Sequence, residues 1–74
     1  MKAFGFKVSD CFTGDVCGEV WSEDGKMLGQ WISSDVNWLK RDLAAHAKDY
    51  EYEFVDQIPE FVMNELRRRY EHKT

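Results

Sequence analysis

Two cysteines, one proline and no long apolar run set the first limits on this chain of 74 residues. Two cysteines are too few for a disulfide scaffold. No apolar stretch approaches the roughly 20 residues that span a bilayer. Residues Met1 to Lys7 lack the hydrophobic core of an export signal, so a cytosolic, reduced setting and free thiols are expected. Positive charge is also scarce. Ten Lys and Arg stand against fourteen Asp and Glu, a formal charge of −4 with pI about 5.0, which disfavours general affinity for nucleic acid or anionic membrane. Among the five glycines there is no phosphate loop, nucleophile elbow or dinucleotide fingerprint. The sequence therefore assigns no catalytic group, no metal-ligand set and no cofactor.

What is present suits a folded domain. The chain is 43% hydrophobic and 15% aromatic, too apolar for disorder. Its length allows one domain, 1–74, whose core contributes only about 3–5 kcal/mol net. Phe4, Phe6 and Val8 alternate with Ala3, Gly5, Lys7 and Ser9, as in a half-buried strand. Thr13-Gly14-Asp15 reads as a turn into a second strand, Val16 to Ser22. Pairing about Gly14 would set Val8 opposite Val20 and Phe6 opposite Ser22. Asp24-Gly25 supplies the backbone freedom of a two-residue hairpin turn, and the third strand runs from Met27 to Ser33. There Gly18 faces Trp31 and Val20 faces Gly29, each small residue making room for a larger one.

Ser34 is the expected N-cap of a helix, with Asp35 in its first turn. Val36, Leu39, Leu43 and Ala47, with His46 at the edge, form its apolar stripe. Tyr50, Tyr52 and Phe54 alternate with Glu51, Glu53 and Val55 in a fourth strand. Asp56 to Pro59 reads as the start of a last helix, with proline in its first turn, whose buried stripe is Ile58, Val62, Leu66 and Tyr70, with Met63 beside them. The predicted fold is α+β, β-β-β-α-β-α. A right-handed crossover makes a four-stranded mixed sheet of order 3-2-1-4, with the first helix on the Phe4/Phe6/Val8 face.

This element order, ending its fourth strand at Asp56, resembles the first half of a ribonuclease H fold and the partial ribonuclease H-like domain of HicB-type antitoxins. The resemblance lies in topology and carries no motif residue. It implies a small inhibitor that acts on a protein partner. In a two-metal nuclease, Asp10, Asp35 or Asp42, and Asp56 would be the metal-binding carboxylates, although aspartates are common at turns and caps.

Two surfaces are the candidate sites. The expected register puts Trp21 against Leu28 and Cys17 against Ile32 on the sheet face opposite Phe4, a patch suited to a homodimer unless the last helix covers it. Cys11 would lie opposite Cys17, close enough for a disulfide or, with His46, a partial metal site, though the redox setting favours free thiols. On the polar side of the first helix, Trp38, Arg41, Asp42 and Asp49 make an aromatic anchor ringed by charge. Asp35, Asp42 and Asp49 recur every seven residues beside it. The functional expectation is a non-enzymatic, protein-binding inhibitor or regulator of the antitoxin or phage anti-defence kind. The alternative is a nucleic-acid-binding regulator using Arg67, Arg68 and Arg69, whose charges also suit the helix C-terminus and the Glu65 to Arg69 spacing.

Overall fold

The computed structural model describes the backbone of residues 1–10 and 14–72 and the side chains of 1–8 and 14–68. Six elements follow in order: β1 (Lys2–Asp10), β2 (Val16–Ser22), β3 (Met27–Ser33), α1 (Val36–His46), β4 (Glu51–Phe54) and α2 (Glu60–His72). The sheet order is β3-β2-β1-β4, as the crossover rule requires. β1 and β2, and β2 and β3, are antiparallel, while β4 lies parallel to β1 with Ala3 beside Tyr52 and Gly5 beside Phe54. Val55 extends that parallel pairing by donating its N–H to the Gly5 carbonyl at 2.8 Å.

The register of β1 on β2 differs from the expected one. Phe4 lies opposite Trp21, Gly5 opposite Val20 and Phe6 opposite Glu19, and the pairing shifts between Lys7 and Ser9. Pairing about Gly14 misplaces this ladder by three residues. Because side chains alternate, an odd slip exchanges the faces of one strand relative to the other. Phe4 and Phe6 thus share a face with Trp21. Val8, expected in the core, is exposed at the irregularity.

This exchange decides which helix covers which face. α1 lies over Ala3 and Val20, which pack with Leu39, Leu43 and Ala47, and with Tyr52 and Phe54 at their rim. Leu39, Leu43 and Ala47 of the expected stripe are buried, whereas Val36, in the first turn, is exposed, and the stripe sits on the face opposite Phe4 and Phe6. Phe6 and Trp21 instead pack with Val62 of α2, flanked by Val55, Ile58, Phe61 and Leu66. Phe4 meets Phe61 edge to face, with centroids 5.9 Å apart. The sheet is a layer between two helices. Met63, expected beside the α2 stripe, is exposed, and the Tyr70 side chain lies outside the described residues.

Two turns also depart from expectation in a readable way. The β2–β3 hairpin closes between Ser22 and Lys26, with Gly25 at φ +91°, so its loop has three residues and not two. That moves the pairing by one. β3 recovers the step by leaving Leu28 as an extra residue between the pairs Val20–Gly29 and Trp21–Met27. The expected Gly18–Trp31, Val20–Gly29 and Cys17–Ile32 pairs are therefore present, but Trp21–Leu28 is not. At the start of α1 the cap is Asp35, one residue later than expected. Its extended backbone and its carboxylate, which accepts from the Trp38 N–H at 2.9 Å, hold that place.

Candidate recognition surface

α1 carries the first candidate surface. Leu39, Leu43 and Ala47 face the sheet, so helical spacing turns Trp38 and Arg41 outward. Trp38 is 53% exposed. The Arg41 guanidinium stands 5.1 Å from its ring centroid, a cation–π contact that restricts the indole. Asp49 is exposed beyond the end of the helix.

The other aspartates of the seven-residue series have structural partners. Asp35 caps the helix. Asp42 accepts the Ser33 hydroxyl at 2.6 Å, and Ser33, the last residue of β3, is buried. The acidic strip is thus two anchors and one solvated charge, and Asp42 also ties α1 to β3.

The second candidate surface is rearranged. Trp21 has no exposure and so contributes nothing to a free surface. Its indole N–H donates to Glu19 Oε1 at 2.8 Å. Leu28, rotated at the irregularity in β3, packs against the α1 cluster. Cys17 is half-buried and disulfide-bonded, which overturns the expectation of free thiols. The chain's one other cysteine is Cys11, which lies outside the described residues. Ile32 alone keeps the expected character, at 59% exposed.

Trp31, which sequence reasoning passed over, joins Ile32. Gly18 lies opposite it, but the space above Gly18 is filled by Leu39: a Cβ there would stand 2.7 Å from Leu39 Cδ2. Trp31 is left 45% exposed at the sheet edge. One side of its ring rests on His46, centroids 5.4 Å apart, above the vacant side-chain position of Gly29. Cys17, Gln30, Trp31 and Ile32 line a shallow open groove along this edge.

The remaining candidates form no metal site among the described residues, where no group of three His, Cys, Asp or Glu could hold one. Asp35 and Asp42 are engaged as described, and the Asp10 side chain lies outside the described residues. A disulfide at Cys17 also removes the thiolate that a site with His46 would need. In α2, Arg68 Nη2 reaches both carboxylate oxygens of Glu65, at 2.6 and 2.8 Å; the expected Glu65–Arg69 pair involves a side chain outside the described residues.

Among the described residues two groups have displaced titration, both in structural settings. The Ser22 hydroxyl, hydrogen-bonded to the Asp24 carboxylate in the β2–β3 turn, holds Asp24 below its ordinary value. Burial pushes Tyr52 up to about 12, with its hydroxyl donating to the Lys40 carbonyl at 3.2 Å.

Compared with protein-family models, curated proteins and solved structures, the chain matches none. The functional reading accordingly stands on its own residues. They offer one pinned indole on a helix and one apolar sheet edge, an arrangement that can hold a macromolecule. No helix of the described residues is long and apolar enough to cross a membrane.

Proposed function

We propose that this protein is a non-enzymatic binding module, a small inhibitor or regulator that occludes a protein partner through the outer face of α1. Trp38 carries the proposal. A half-exposed indole costs solubility and adds little to a core, yet tryptophan and arginine dominate the binding energy of protein interfaces. Arg41 holds the ring before a partner arrives, so less side-chain freedom is lost on binding. Asp49 and the chain's net charge of −4 favour a partner with a basic surface. The sheet order and parallel β4 are compatible with a relationship to the HicB-type antitoxins, which we keep within this proposal as an analogy of topology.

The test uses variants that leave the fold alone. Asp42 is unsuitable, because reversing its charge would strip a buried hydroxyl of its acceptor. Trp38→Ala and Asp49→Lys alter exposed groups. Capture from the source cell with wild-type bait, compared quantitatively with both variants, should reveal a partner that each variant loses. For the purified partner, Trp38→Ala should weaken affinity by roughly thirtyfold, about 2 kcal/mol. Equal recovery by all three baits would refute the α1 surface.

The same proposal places the protein in the cytosol. There the disulfide at Cys17 would have to form against a reducing thiol pool, and so it weighs against that placement. Rapid alkylation of the protein in intact cells reads this directly. A trapped Cys17 thiol supports the cytosol; a blocked Cys17 places the protein in an oxidising compartment. For the nucleic-acid alternative, α2 offers exposed Arg67 and Arg68, the latter partly neutralised by Glu65.

A further inference from the structure

The two edges of the sheet are built differently. β4, at one edge, reads Glu-Tyr-Glu-Phe, with Glu51 and Glu53 both exposed. Charges of this kind keep a strand edge from pairing with another chain. β3, at the other edge, reads Met-Leu-Gly-Gln-Trp-Ile-Ser. It has no charge and no proline. Among the described residues it pairs only with β2, which leaves the outward N–H and C=O groups of alternate residues along its free side. Met27 (44%), Trp31 (45%) and Ile32 (59%) stand exposed along this same strand. α1 packs on one face of β3, at Leu28, Ser33 and Trp31, so what stands open is the strand's outer edge and the exposed Ile32 side.

We infer that β3 is a self-pairing edge, and that two copies of this chain join β3 to β3 in antiparallel fashion to form one continuous eight-stranded sheet. Charge selects a second copy as the occupant. A molecule of net charge −4 repels its own kind over most of its surface, and a neutral strand is where two copies can approach. A two-fold axis at Gln30, the middle residue of β3, gives the greatest overlap and sets Gly29 of each copy opposite Trp31 of the other. The same axis brings Lys26, just before β3, beside Ser34 and Asp35, just after it, in the second copy. The charges flanking the joint are thus of opposite sign. The contact is isologous and closes at two, since the remaining edges of the pair are the glutamate-bearing β4 strands.

This inference is independent of the α1 surface and uses none of its residues. A joint of one strand pair is small, so the dimer should exchange with monomer. Sedimentation of the full chain over a wide concentration range should show a reversible monomer–dimer equilibrium, and hydrogen exchange of β3 amides should slow as dimer forms. Gln30→Lys, which faces two cations at the axis, and Ile32→Lys should each weaken dimerisation at least about tenfold, with circular dichroism unchanged. Ile32 is exposed, so its variant decides the matter even if Gln30→Lys does not fold. Met63→Lys on α2 should have no effect. A monomer at every concentration, assemblies larger than two, a dimer indifferent to both β3 variants, or β3 amides protected only by a different protein would each overturn the inference.

Discussion

A single methyl group at Gly18 should be among the most damaging small changes in this protein. Glycine within a strand costs entropy, and alanine ordinarily gains roughly 0.5–1 kcal/mol in its place. Here the sign reverses. A Cβ at Gly18 would lie 2.7 Å from Leu39 Cδ2 and 2.8 Å from the carbonyl oxygen of Phe6. Leu39 is fully buried and the carbonyl belongs to the adjacent strand, so neither can step aside. Overpacking of this kind costs about 1–3 kcal/mol, leaving Gly18→Ala roughly 1–2 kcal/mol less stable than the natural chain. For a domain of this size that is a fall in Tm of roughly 4–16 °C. Gly29→Ala is the internal comparison. Its Cβ would meet the ring of His46 at 2.8 Å, but His46 is exposed and can swing away, so the change should be near neutral. Urea unfolding followed by circular dichroism measures both, with equal slopes expected. If Gly18→Ala matches or exceeds the natural chain in stability, the close approach of α1 to β2 described above is wrong.

Trp21→Ala should remove a fully enclosed indole at a cost of about 3–5 kcal/mol; with so small a core, far-ultraviolet circular dichroism should show a largely unfolded chain. Asp35→Ala should cost about 1 kcal/mol through loss of the cap to the Trp38 N–H, whereas Ser34→Ala, one residue earlier, should cost little; thermal melts separate the two. Tyr52 has its folded pKa raised from 10.0 to about 12, so folding favours its protonated form. Its contribution is complete below about pH 10 and is lost as pH rises toward 12, and Tyr52→Phe should flatten that part of the stability–pH curve.

Element order and sheet order were legible because hydrophobic periodicity and the crossover rule are both strong constraints. The β2–β3 pairs from Cys17 to Val20 were legible from a hairpin centred on Asp24-Gly25, because the extra residue at Leu28 cancels the extra residue of the turn. The β1–β2 register was not. The symmetry of the residues around Gly14 suggested a centre, but the pairing changes step between Lys7 and Ser9, and no residue type announces such an irregularity. From that one error followed the wrong face for α1 and an exposed Trp21. At the candidate site, Trp38 and Arg41 were readable from helical spacing alone. The Asp42–Ser33 bond was not, since it joins residues nine apart through a turn whose geometry only the fold supplies. Trp31 was missed because a glycine opposite it looked like a socket, when Leu39 of α1 fills that space. The disulfide at Cys17 ran against an expectation drawn from compartment, where spacing around Gly14 had allowed it.

Both proposed surfaces require that the three tryptophans occupy three environments: Trp21 enclosed beneath α2, Trp31 at the β3 edge and Trp38 on the outer face of α1. Acrylamide quenching of three variants, each retaining one tryptophan with the others changed to phenylalanine, measures this in solution. Trp21 should be protected until the chain unfolds, while Trp31 and Trp38 should be quenched readily in the folded protein. A folded variant whose Trp21 is quenched as easily as the other two would contradict the account.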